Sequence, residues 1–171
     1  MRLRAALVLL AALLVFPSAG AGAFRLGELW QKSFPVGPNP KLEIENVNGN
    51  IRVESWAGAS IEVTAEIRIK APSKSQARRL YAGIEFVTES DSSRVRVQTA
   101  LPRVRQDAFP GLVFGEHSAI RIRYYVKVPR GTSLSVRTVN GDIELAIPSE
   151  GGAKIEAHTA HGSVSRISPP R

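Results

Sequence analysis

The chain has 171 residues and not one cysteine. Disulfides, thiolate metal sites and a lipid anchor on cysteine are therefore excluded, and core packing alone must hold the fold. Catalytic motifs are missing too. There is no Gly-x-Ser-x-Gly elbow for a nucleophile and no glycine loop to cradle phosphate. The three histidines, His117, His158 and His161, match no zinc spacing even with Glu150 and Glu156 nearby, and solvated turn residues account for them. Asn140, Asp142 and Glu144 alternate as calcium ligands sometimes do. They lack the donor loop and distal glutamate that calcium requires, and turn chemistry explains them without an ion. No cofactor or metal is expected. After the first residues, no run is long and apolar enough to cross a membrane.

The head of the chain is distinctive. Met1-Arg2-Leu3-Arg4 is basic, Ala5 to Phe16 is an apolar run of 12 residues, and Pro17-Ser18 breaks it before the small residues Ala21-Gly22-Ala23. This order predicts a secretory signal cleaved after Ala23. As a helix the run would rise only about 18 Å, short of a bilayer core of about 30 Å. The mature chain from Phe24 has 148 residues, enough for one domain with a real core. Without Arg2 and Arg4, 21 basic residues face 15 acidic ones, a net charge of +6. That balance serves solubility and favours acidic partners such as lipid headgroups, lipopolysaccharide or anionic glycans. Nucleic acid is not expected.

Periodicity is two almost throughout. Ile61, Val63, Ala65, Ile67 and Ile69 alternate with polar residues, as do Ile120, Ile122, Tyr124, Val126 and Val128. Each predicts a half-buried strand whose register is pinned, because a one-residue slip would turn its charges inward. Shorter alternations lie at Leu42-Ile44, Ile51-Val53, Ile84-Phe86, Val95-Val97, Leu134-Val136, Ile143-Ile147 and Ile155-Ala157. Pro72 to Gly83 departs from this rule. Its serines suit an N-cap, a glycine ends it, and Ala77, Leu80 and Tyr81 share one face of the predicted short helix.

One phrase is written twice and echoed. Asn46-Val47-Asn48-Gly49-Asn50-Ile51 returns as Thr138-Val139-Asn140-Gly141-Asp142-Ile143, and more loosely as Thr159-Ala160-His161-Gly162-Ser163-Val164. Asn48-Gly49, Asn140-Gly141 and Gly162 are predicted structural turns, with positive φ available to each glycine. The spacing of 21 residues between Gly141 and Gly162 fits successive rungs of a coil or adjacent hairpins. Residues 100–118 are the longest break. Phe109, Leu112, Val113 and Phe114 make it apolar: either a cap on an open end of the core or an exposed partner loop.

The cations also fall into a pattern. Arg94 and Arg96 lie on the polar side of one strand, and Arg121, Arg123 and Lys127 on that of another. Direct neighbours would oppose like charges. Either an acidic strand such as that of Glu62 and Glu66 separates them, or the five form a polyanion-binding face. Trp56, ahead of Ala57-Gly58, is expected to pack over a turn with its indole N–H bonded. Trp30 lies in a weakly patterned leader, residues 24–40, that reads as a tether or an edge addition.

The stretch from Lys41 through Asn48-Gly49 to Trp56 resembles the opening of the bacterial putative-adhesin domains with β-strand repeats, exported domains of unknown function. The Ile61–Lys70 strand, the helix, Tyr125-Val126-Lys127-Val128-Pro129 and the second Asn-Gly phrase follow the same layout. The resemblance runs from about Phe34 to Ile167. It implies an all-β, partly solenoidal domain in the periplasm or at the cell surface and offers no catalytic residues. Together these readings predict an all-β fold: antiparallel strands leading into a short β-solenoid-like or sandwich-like repeat region, with one short helix, over residues 41–171. The expected function is a non-catalytic envelope module that binds a glycan, lipopolysaccharide or a protein partner. A strand-edge scaffold unit is the alternative. An envelope hydrolase built on two converging carboxylates ranks last.

Overall fold

A computed structural model describes residues 23–102, 120–148 and 153–167. The segment up to residue 22, expected to be a secretory signal, and the expected partner loop of Phe109, Leu112 and Phe114 lie outside the described residues, as do His117 and Glu150. The strands are Phe24–Pro35 (β1), Lys41–Glu45 (β2), Ile51–Trp56 (β3), Ser60–Ala71 (β4), Glu85–Ser90 (β5), Arg94–Ala100 (β6), Ile120–Pro129 (β7), Ser133–Asn140 (β8), Ile143–Ala146 (β9), Ile155–His161 (β10) and Val164–Arg166 (β11), with helix α1 at Lys74–Ala82. They form two sheets, one of six strands in the order β1-β4-β7-β3-β9-β11 and one of five in the order β10-β8-β2-β6-β5. The fold is all-β with one helix among the described residues.

Alternation decides which side of each strand is dry. Ile61, Val63, Ala65, Ile67 and Ile69 of β4 are no more than 1% exposed, and Ile120 to Val128 of β7 repeat this on every second residue. Each buried isoleucine contributes about 1.5–3 kcal/mol, so reversing either strand is prohibitive. The core lies between the two inner faces. Tyr124 is fully buried there, and its hydroxyl meets Thr99 Oγ1 of the opposite sheet at 2.5 Å. Burial pushes the phenol up to about 12, so it stays protonated as this link between the sheets.

The glycine turns are corners between the sheets, not hairpins. Asn48-Gly49 carries the chain from β2 to β3, Asn140-Gly141 from β8 to β9, and His161-Gly162 from β10 to β11, each crossing from the five-stranded to the six-stranded sheet. All three units stack in parallel. The chain also changes sheet between β6 and β7, and these two strands stack in parallel below β2 and β3 of the first unit. Antiparallel strands finish this side: β5 on β6, β4 on β7, and β1 on β4.

Why glycine is needed is visible in the stack. Gly49, Gly141 and Gly162 have φ of +129°, +150° and +153°. A Cβ on Gly49 would lie 2.0 Å from the Ile122 carbonyl oxygen, one on Gly141 2.3 Å from that of Gly49, and one on Gly162 2.1 Å from that of Gly141. The backbones therefore touch where the corners nest. Gly49 N–H donates to Asn140 O at 2.7 Å and Gly141 N–H to His161 O at 2.9 Å. Side chains repeat the pattern: Thr138 Oγ1 donates to Gly49 O and Thr159 Oγ1 to Gly141 O, while Asn46 Nδ2 donates to Gly49 O and to Ile122 O. A second ladder runs along the outside, from Asp142 N–H to Asn50 Oδ1 and from Ser163 N–H and Oγ to Asp142 Oδ1. Those Ser163 bonds hold the Asp142 carboxyl below its usual range, so what it contributes is lost as pH falls through that lowered value.

One detail differs from the sequence reading, and one choice it left open is decided. Tyr81 is 37% exposed, whereas Ala77 and Leu80 of the helix are buried. Residue 81 stands one position beyond Leu80, rotated off the narrow stripe that a nine-residue helix presents. The leader is an edge addition, for β1 pairs residue by residue with β4 from Phe24–Ala71 to Pro35–Ser60. Trp30 stacks on Phe86 at 4.5 Å, and Phe86 meets Tyr124 edge to face at 6.4 Å. Trp56 behaves as expected, its Nε1 donating to Ser60 O at 3.0 Å beside Gly58.

Candidate functional site

The five candidate cations do not come together. Arg94 and Arg96 belong to β6 of the five-stranded sheet, whereas Arg121, Arg123 and Lys127 belong to β7 of the six-stranded one. The chain changes sheet between these strands, so the outer faces of the two point away from each other. No acidic strand is needed to separate them. The strand of Glu62 and Glu66, β4, instead pairs directly with β7.

On the five-stranded sheet the charges are matched. Parallel pairing of β2 with β6 sets Lys41, Glu43 and Glu45 beside Arg94 and Arg96. Glu43 takes Lys41 at 2.7 Å and Arg94 at 2.8 Å, and Arg96 reaches Glu45 at 3.4 Å. The Lys41 hydrogen bond, with help from Arg94, holds the Glu43 carboxyl below its usual range against the opposing effect of burial. Arg94 and Arg96 are thereby occupied within the sheet.

The six-stranded sheet is different, and its strand register shows how. Along one row Ser33, Glu62, Lys127 and Glu54 stand side by side, so Lys127 lies between two carboxylates. Its ammonium also lies 5.7 Å from the Trp56 ring centre. Here the sheet does draw two carboxylates toward each other, but with a cation between them. In the next row inward, Gln31, Thr64, Tyr125, Arg52 and Glu144 align, with Arg52 and Glu144 at 3.4 Å. Further along, the rows read Leu29–Glu66–Arg123, then Gly27–Arg68–Arg121, then Arg25–Lys70. Glu66 is the single carboxylate in these three rows; it holds Arg68 at 2.5 Å and lies 3.9 Å from Arg123. Among the described residues no carboxylate comes within ion-pair distance of Arg25, Lys70 or Arg121. Arg25, Arg68, Lys70 and Arg121 are all exposed.

Sequence reasoning missed Arg25, Arg68, Lys70 and the glycine among them. A signal existed: Phe24, Leu26, Trp30 and Phe34 recur at even positions, interrupted by Glu28 and Lys32. Those two charges mask the period of two on an edge strand whose inward side is only partly covered. His158 and His161 both lie exposed on β10, in register with Arg137 and Asn140. Asn140, Asp142 and Glu144 are each engaged elsewhere, with Asn48, Ser163 and Arg52 respectively. Among the described residues no group of three or more acidic or histidine side chains gathers as a metal site would. None of their helices is long and apolar enough to cross a membrane.

No family model and no curated protein matches the chain. Solved structures do. A putative cell adhesion protein from Clostridium sporogenes ATCC 15579 is 10% identical with a TM-score of 0.43, the likeness covering 84% of this chain and 59% of that one. A putative adhesin from Bacteroides fragilis NCTC 9343 is 13% identical with a TM-score of 0.41, covering 81% of this chain and 53% of the other. A putative lipid binding protein from Parabacteroides distasonis ATCC 8503 is 14% identical with a TM-score of 0.37, covering 81% and 51%. The chain thus spans little more than half the length of these three solved proteins.

Proposed function

We propose that the protein is an exported, non-catalytic binding module of the bacterial envelope that holds anionic material against one end of its six-stranded sheet. The basic, apolar and small-residue order of Met1 to Ala23 supports export. The observation that carries the binding reading is the alignment of like charges. Arg68 faces Arg121 and Arg25 faces Lys70 directly across antiparallel pairs, an arrangement that works against the sheet unless an anion offsets it. On the other sheet Lys41, Arg94 and Arg96 are paired with Glu43 and Glu45, so a run of facing cations is local to this end and not a property of overall net charge.

The double substitution Arg68→Glu with Arg121→Glu in the mature protein is expected to weaken retention on anionic vesicles or lipopolysaccharide at low salt by roughly thirty-fold or more, at about 1 kcal/mol per cation near such a surface. Arg94→Glu with Arg96→Glu, an equal change of charge on the opposite face, should alter retention far less. Co-sedimentation across a salt series reads both. Equal losses in the two variants would reduce the effect to net charge and overturn the reading.

A second reading, a strand-edge assembly unit, rests on the third corner. In the first two units the glycine N–H and the next strand's first N–H donate to the following unit: Gly49 to Asn140, Ile51 to Asp142, Gly141 to His161 and Ile143 to Ser163. At Gly162 and Val164 the described residues provide no following unit, and β10 and β11 end their sheets. Such an edge suits strand addition. Sedimentation over a wide concentration range should then reveal self-association that a proline at Ala157 abolishes. A strictly monomeric protein that recovers no partner from envelope extracts counts against it.

A further inference from the structure

Gly27 stands in the middle of an edge strand where the fold makes no demand for glycine. Its φ lies outside the left-handed region, and a Cβ there would meet nothing within 4 Å. Glycine inside a strand weakens it, and commonly marks a place where a ligand or another backbone comes close. Here no other backbone does. What Gly27 provides is bare floor on the outer face, with Arg68 directly opposite and Arg121 one strand further in the same row. Arg25 and Lys70 border it on one side, Arg123 on the other. Any larger side chain at residue 27 would rise from the floor beside Arg25 and Arg68 and cover the edge of this basic surface.

Resting on the binding reading above, we infer that Gly27 is the seat of a phosphate group, presented as a phosphomonoester headgroup by an anionic lipid surface. Three features select this occupant. Guanidinium forks match phosphate oxygens two at a time; Arg68, whose Nε and Nη2 hold Glu66 Oε1, stands across the strand pair from the seat, Arg121 follows in the same row, and Lys70 adds a point charge. Five cations around one carboxylate, Glu66, suit a monoester, whose charge approaches −2, better than a carboxylate or a diester at −1. The site is an open sheet face and not an enclosed cleft. Beside it Leu29, 64% exposed on the same face of β1, offers an apolar contact to the lipid beneath a headgroup. Glu28 points from the opposite face of β1 and does not enter the row.

The test is Gly27→Val in the full mature chain, a change that keeps the net charge, suits a strand and has room in the structure. Phosphatidylcholine vesicles containing phosphatidic acid, a phosphomonoester, are compared with vesicles brought to the same surface charge by phosphatidylglycerol, a phosphodiester. The wild type should prefer the phosphatidic acid vesicles by about tenfold or more, as charge-assisted hydrogen bonds to a seated group imply. Gly27→Val should lose that preference while keeping its salt-dependent binding to phosphatidylglycerol and a midpoint of unfolding no lower than wild type. Gly27→Ala should fall between. If Gly27→Val keeps the preference, the seat is wrong although the basic face stands; if Arg68→Glu with Arg121→Glu binds like wild type, the face itself fails. Inorganic phosphate separates the sources. Saturable binding of free phosphate without a preference among vesicles would overturn the assignment to lipid.

Discussion

Gly49→Ala is expected to cost about 3–5 kcal/mol, a large share of the roughly 5–15 kcal/mol that stabilises an ordinary domain. Two separate penalties combine. At φ +129° a Cβ is strained in its own backbone, and the 2.0 Å approach to the Ile122 carbonyl oxygen forces two strands apart. A flexible side chain could move aside; a strand backbone with the core on its other face cannot. The same change at Gly141 meets the Gly49 carbonyl from a corner enclosed on both sides and should cost a similar amount. At Gly162 it should cost less, because among the described residues nothing lies on the far side of that corner and the last unit can tilt away. Urea midpoints should therefore rank wild type above Gly162→Ala, and Gly162→Ala above the other two. A Gly49→Ala protein within 1 kcal/mol of wild type would mean that the corners do not nest as described.

Asn46→Asp should be nearly as damaging near neutral pH, at about 3–4 kcal/mol, and should recover in acid. Asn46 is 5% exposed and its amide nitrogen donates to two carbonyls, Gly49 O at 3.2 Å and Ile122 O at 2.9 Å. A carboxylate would put negative charge against both, with no donor to offer. Burial and these two oxygens would raise its folded-state pKa above the ordinary value near 4. The variant's stability would then be greatest below that ordinary value and would fall as pH rises through the raised one. Wild type lacks this loss, so the difference between their urea midpoints should widen from acid to neutral pH. A difference that is the same at every pH would sink the account. Asn46→Thr is the contrasting case. Threonine stands at the matching position of the next two units, where Thr138 and Thr159 donate to glycine carbonyls, so this change should cost only about 1 kcal/mol. It also removes the Asn46 Oδ1 atom, which is buried without a partner.

Both predictions grow from a phrase visible in the sequence. The Asn-Gly repeats announced turns, and even the weak echo at His161-Gly162 proved a full member of the stack, because stacking requires glycine and tolerates His for Asn before it. Alternation likewise named the buried face of β4 and β7 residue by residue. What alternation cannot carry is adjacency. A period of two tells which side chains share a face of one strand and is silent on which strand lies next to it. Hence Arg94 and Arg121 looked like candidates for one surface, although the crossing from β6 to β7 puts them on opposite sides of the molecule. The same blindness hid the row of Gly27, Arg68 and Arg121, whose members are far apart in the chain and meet only through pairing. β1 could not be told from a tether because Glu28 and Lys32 occupy inward positions of an edge strand, where solvent still reaches them.

The two ends of the fold differ in how they would yield to tension. At the amino-terminal side β1 is bonded along all 12 residues to β4, so a pull along that strand loads its hydrogen bonds simultaneously and must shear them together. At the other side, three residues of β11 and then β10 can peel from β9 and β8 one bond at a time. Tethered at both ends, the molecule would unravel from its third corner downward before β1 parted from β4.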